Sequence, residues 1–162
     1  MTINIFKAKS IQNDKSFKND PVTTEIIRNS LNSAAEQMKK SLIRSAFSPI
    51  IYEVLDFASA IYDIKFCMLA QSPSLPGFMG TLSFCVEEAV KEVGGEKNLF
   101  DGDIIIYNNP YGSGSHSQDA AIVKPVFLDG KLIGYTAIKA HWLDTGGKEP
   151  YSTDTVDVFQ EG

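Results

Sequence analysis

The dipeptide Asp129-Gly130 sits between two apolar runs, Ala120–Leu128 and Leu132–Ala140. Asp-Gly favours the tight turn whose twist matches paired strands, so the three segments specify a β-hairpin. In such a hairpin the start of the first strand lies beside the end of the second. His116-Ser-Gln-Asp119 leads into the first strand, and His141-Trp-Leu-Asp144 runs out of the second. The chain has two histidines, each followed by an aspartate three positions later, and the turn brings both pairs to one end of the sheet. Pro125 lacks a backbone donor, so the first strand is expected to be an edge or bulged there.

The remaining elements fix the fold class. Asp20-Pro21 has the N-cap and first-turn signature of a helix. Ile26, Ile27, Leu31, Ala34, Ala35, Met38, Leu42 and Ile43 then recur at three- and four-residue intervals, predicting an amphipathic helix that ends before Ser48-Pro49. Asp56–Tyr62 and Phe66–Ala70 flank a polar turn and form a second hairpin. Pro73, Pro76 and Gly77 mark a loop, and a second helix is expected from about Thr81 to Val93, with Gly94-Gly95 as its stop. Asp101-Gly102 is a turn, Asp103–Tyr107 a strand buried on both faces, and Asn108-Asn109-Pro110 its end. The order helix–hairpin–helix–strand–hairpin lacks strand–helix alternation. The class is α+β, with helices packed on a mainly antiparallel sheet. Residues 1–19 are polar with little periodicity and read as a mobile leader.

Composition narrows the function classes. The 162 residues suffice for one domain with a substantial core. A net charge of -5 argues against a general nucleic-acid or anionic-membrane surface. No apolar run reaches the ~18 residues a membrane span needs, and no signal peptide is visible. Cys67 and Cys85 lie in apolar stretches without CxxC spacing, which predicts buried, reduced thiols in a cytoplasmic protein.

Two imidazoles with one or two carboxylates suit a divalent ion with open positions, drawn from Zn, Mn, Mg or Fe. Without a metal, His116 or His141 serves as a general base oriented by its aspartate. Gly112, Gly114, Gly146 and Gly147 permit close backbone approach and can aim N–H groups at an anion. Blander roles compete. Asp119 can close a turn, Asp144 can bond the Thr145–Gly147 backbone, and Trp142 can serve packing alone. Gly112-Ser-Gly-Ser115 is not a phosphate loop, because no lysine follows in register and no helix is expected after it.

From Asp20 onward the chain resembles the hydantoinase B/oxoprolinase family, which includes the matching subunits of acetone and acetophenone carboxylases. The segments that carry the resemblance are Asp20–Arg28, Ser45-Ala-Phe-Ser-Pro49, Asp56-Phe57, Asn108–Asp119, Ala140–Gly147 and Phe159-Gln-Glu-Gly162. Their order and spacing are specific together, although no one segment decides the matter.

The resemblance implies one half of an ATP-dependent enzyme that opens cyclic amides such as hydantoins or 5-oxoproline, or that carboxylates ketones. A hydantoinase A-type partner would bind ATP and phosphorylate the substrate carbonyl oxygen. The B-type chain would then process that intermediate. Carried over by motif, the metal ligands are His116, Asp119 and His141, and the catalytic groups His116, His141 and Asp144. Asp144 stands as a fourth ligand or as a partner to one.

Three departures stand out. The usual Asn-Asp-Pro-Tyr reads Asn108-Asn109-Pro110-Tyr111, and a frequent His-His reads His141-Trp142. Full-length members are also several times longer, so residues 20–162 correspond to the N-terminal part of such a domain, without activity by itself. A rival reading rests on element order alone. It makes the chain a GAF-like small-ligand binding domain in which the histidines are incidental.

Overall fold

A computed structural model describes residues 20–162. The expected leader lies outside the described residues. Helix α1 spans Pro21–Ser45, with Asp20 as N-cap accepting from the amides of Val22 and Thr23. A one-turn helix α2, Pro49–Tyr52, follows. Strands β1 (Phe57–Tyr62) and β2 (Met68–Gln71) form the first hairpin. Helix α3 is Pro76–Glu92, β3 is Ile105–Tyr107, and the short helix α4 is Pro110–Ser113. Strands β4 (Asp119–Leu128) and β5 (Lys131–His141) form the long hairpin.

The five strands lie in the order β2-β1-β5-β4-β3, and every pairing is antiparallel. The class is α+β, as the element order predicts. Asp129 and Gly130, at φ 50° and 75°, adopt the left-handed pair that a two-residue hairpin turn requires. At Pro125 the β3 pairing has already ended, since it runs only from Ala121 to Val123. Pro125 thus stands on a local edge, and the register shifts just beyond it, between Val126 and Phe127. The expected edge is therefore local, and the irregularity falls one residue past Pro125.

The two long helices cover opposite faces of the sheet. Leu82, Cys85, Val86, Ala89 and Val90 of α3 meet Ala58, Ala60, Tyr62, Ala121, Val123, Tyr135 and Ala137. On the other face Leu31, Ala34, Ala35 and Met38 of α1 pack on Ile61 and Ala70. This two-sided cover explains why all six residues of β1 are buried. Leu82, with no exposure, lies deep in the larger core. Its replacement by alanine is expected to cost roughly 3 kcal/mol, lowering the melting temperature by about 6–12 °C in a calorimetric scan.

Four local expectations need correction. Helix α3 begins at Pro76, five residues before Thr81, because Pro76 occupies the first turn, where a missing amide costs nothing. Strand β3 is not buried on both faces: Ile106 is 63% exposed, because α1 covers β1 and β2 and leaves this edge open. The first part of the α1 stripe extends beyond the sheet, leaving Ile26 and Ile27 exposed. Cys67 is exposed in the turn of the first hairpin, whereas Cys85 is buried and its thiol is pushed up to about 11 by desolvation.

Candidate active site

Strand register builds the site. His141 ends β5 and stands opposite Asp119, the first residue of β4. On the other side, Phe57 pairs with Ala140, and the His141 amide donates to the Asp56 carbonyl at 3.1 Å. Directly opposed residues share a face of the sheet. Asp56, just ahead of β1, thus joins His141 and Asp119 in a row at the ends of three adjacent strands.

His141 Nδ1 lies 2.8 Å from Asp119 Oδ1, and the His116 amide donates to Asp119 Oδ2 at 3.0 Å. The two imidazoles meet edge to face with centroids 6.0 Å apart. His116 Nδ1 lies 3.6 Å from Glu161 Oε1, and its side chain remains 66% exposed. Asp56, His116, Gln118, Asp119, His141 and Glu161 line a cavity of ≈ 390 Å³. Across His116 and Glu161 lies a second, open cavity of ≈ 480 Å³, reached by Ser115.

Electrostatics follow from this layout. Burial is the largest single influence on Asp119 and opposes its ionisation. Hydrogen bonds from His141, the His116 amide and Ser115 together outweigh it and hold the carboxyl below its ordinary range. The Asp119 hydrogen bond raises His141, against the opposing effect of burial. Desolvation raises Asp56, partly offset by His141.

An ionised carboxylate only accepts, so Asp119 fixes the neutral His141 with its proton on Nδ1. The lone pair then resides on Nε2, which is buried and has no hydrogen-bond partner. Asp56 Oδ1 and both amide atoms of Gln118 are buried without partners too.

These shifts give stability a definite slope with pH. His141 and Asp56 are raised on folding, so their contributions are complete below their unfolded values, about 6.5 and 3.9, and fade as pH rises through the folded ones. The lowered Asp119 contributes above about 3.9 and fades as pH falls through its folded value. Urea titration of the metal-free chain should give a higher midpoint at pH 5.5 than at pH 8. His141→Gln should flatten the difference, whereas equal midpoints in the unsubstituted chain would contradict the paired arrangement.

The structure brings together His116, Asp119 and His141 but leaves Asp144 apart. Asp144 is exposed and accepts from the Gly146 amide at 2.8 Å, a local turn bond. Gly147 serves the chain's own packing: a Cβ there would collide with the carbonyls of Gln160 and Glu161. That close approach, with Lys148 N–H donating to Gln160 at 2.7 Å, seats the segment carrying Glu161. Tyr151, at φ 70°, holds its ring 5.4 Å from His141.

Among the described residues, no three His, Cys, Asp or Glu side chains are arranged as a finished metal-binding set. The donor chemistry nonetheless fits a divalent ion. Two imidazoles and carboxylates surround one cavity, and the orphaned Nε2 and Oδ1 atoms need a partner. Asp119 already spends an oxygen on each histidine residue, which suits it to orienting His141 as much as to binding metal.

Residues 20–162 match the family described as Hydantoinase B/oxoprolinase. The chain belongs to this family. It is 34% identical over 151 residues to a putative D-/L-hydantoinase subunit from a Pseudomonas species (strain NS671), covering 90% of this chain and 25% of that protein. It is 35% identical over 145 residues to 5-oxoprolinase 1 of Arabidopsis thaliana, covering 88% and 11%. The crystal structure of the ATP-dependent caprolactamase from Pseudomonas jessenii superposes with a TM-score of 0.78 at 30% identity, covering 88% of this chain and 25% of that one. The chain thus spans about a quarter or less of these relatives. Family membership displaces the GAF-like alternative.

Proposed function

We propose that this hydantoinase B-type chain supplies the His–Asp centre of an ATP-dependent enzyme that opens cyclic amides. The observation that carries the reading is the row Asp56–His141–Asp119, with the unpartnered Nε2 of His141 beside His116 in one cavity. A hydantoinase A-type partner binds ATP and phosphorylates the carbonyl oxygen. This chain receives the activated substrate: water adds to the activated carbon, the ring C–N bond breaks with a proton passing to nitrogen, and inorganic phosphate leaves, giving the ring-opened acid.

His141 and His116, with Asp56 as carboxylate donor, would hold a divalent ion, and Asp119 would back His141 from the far side of its ring. Such an ion supplies Lewis acidity and lowers the pKa of water. Asp119 keeps the His141 ring oriented and its Nε2 free of a proton. The Asp119–His116 backbone bond fixes where the second imidazole begins. His116, whose exposed ring now lies beside Glu161, would complete the set by turning inward. Leu75 and Phe78 supply the apolar part of the cavity lining.

The test is ATP-dependent ring opening of hydantoin, 5-oxoproline and caprolactam by the native assembly, purified through a tag on this chain. Ring-opened acid formed together with ADP supports the reading. Failure to open any of the three above an ATP-free control, in an assembly that retains its partner, refutes it.

A further inference from the structure

Lys139 has no exposure at all, yet it appears in none of the ion pairs among the described residues. It lies on β5, two residues before His141 and on the same face of the sheet. Its cross-strand neighbours are Ala58 and Ala121, whose small side chains leave room for a long one to run across that face. The ammonium reaches the loop ahead of His116. Nζ donates to the Ser113 carbonyl at 3.1 Å, to Ser115 Oγ, and to Thr81 Oγ1 on α3 at 3.4 Å. It also lies 5.3 Å from the centre of the Phe78 ring.

The acceptors matter more than their number. Ser113 ends α4, and Gly114 follows in the left-handed conformation at φ 72°. Ser115 then precedes His116, whose amide donates to Asp119 Oδ2 at 3.0 Å. A single buried cation thereby ties α3, the end of α4 and the residue next to His116 into one unit. Through Ser115 and the His116 amide that follows it, this cation bears on the carboxylate that orients His141. The Ser113 carbonyl can only accept, and Thr81 Oγ1 lies within reach of the Gly77 carbonyl for its own proton. Lys139 is therefore built into the loop as a donor to the Ser113 carbonyl and to Thr81.

We infer that Lys139 is a positioning residue: its ammonium clamps Ser113 and Ser115, fixing the loop that presents His116 and holding Asp119 against His141. The inference rests on the His–Asp centre proposed above. The clamp works only as a donor to fixed acceptors, so an apolar side chain of similar length fills the space without replacing it. In Lys139→Met the loop loses its anchor, while α3 and the sheet keep their packing.

The test combines amide hydrogen exchange with zinc titration of the chain, using Lys139→Met and Ser115→Ala. Exchange at residues 113–116 should rise at least about tenfold in both variants, while Val86 and Val123 in the core keep wild-type rates. Zinc affinity should fall by roughly 10-fold or more, as when a residue supporting a ligand is lost. Loop exchange within twofold of wild type in both variants overturns the inference. So does acceleration spread equally over loop and core. If Lys139→Met does not fold, Ser115→Ala decides by the same criterion. If the wild-type chain takes up no zinc while loop exchange still rises, the metal reading falls and the clamp stands.

Discussion

Replacing His141 with alanine is expected to reduce ATP-dependent ring opening by the native assembly by about 10²–10⁴-fold and to abolish zinc uptake. His141 stands at the middle of the row at the end of the sheet. It pairs across strands with Asp119, stands beside Asp56 through the backbone, and contacts the rings of His116 and Tyr151. Its Nε2 is the buried lone pair available to a ligand. Removal also strips Asp119 of one of its hydrogen bonds, so the variant loses stability and should be assayed well below its melting temperature. A folded variant that turns over within threefold of wild type would contradict the role given to this ring.

Asp119→Asn is expected to fold, yet to lower both zinc affinity and turnover by roughly 10–100-fold. One carboxylate oxygen accepts from the His116 amide, which can only donate, so the carboxamide oxygen of the variant must take that place. The NH2 group then faces His141 Nδ1 and can be satisfied only as a donor. The imidazole is driven to the opposite tautomer, with its proton on Nε2 and its lone pair turned away from the cavity. Nitrogen chemical shifts of the His141 ring read the tautomer directly. An unchanged tautomer with unchanged zinc affinity would remove Asp119 from the orienting role.

Local chemistry made much of this arrangement legible in the sequence. Asp20-Pro21 announces the start of α1, and Asp129-Gly130 announces the β4–β5 hairpin, while the one-residue register shift between Val126 and Phe127 is what sets Asp119 directly opposite His141. The convergence of His116, Asp119 and His141 follows from that hairpin alone. Asp56 was hidden for a physical reason. It joins the row only through β1 pairing with β5, a contact between segments some eighty residues apart in the chain, and no turn residue signals such pairing.

Glu161 and Tyr151 were hidden for another reason. They arrive on irregular chain seated by Gly147 and by residues at positive φ, and hydrophobic periodicity carries no information there. Asp144 shows the converse case. Its spacing from His141 repeats that of Asp119 from His116, but β5 has ended and the aspartate closes a turn with Gly146. Equal spacing in sequence leads to different places when one aspartate begins a strand and the other follows one.

The most direct test of the proposed centre is an anomalous difference map at the zinc edge from crystals grown with zinc. A peak within bonding distance of His141 Nε2, with Asp56 and an inward-turned His116 around it, is the expected result. Zinc bound only elsewhere on the chain, with His141 Nε2 still unpartnered, would contradict the assignment of this row as the metal-binding centre.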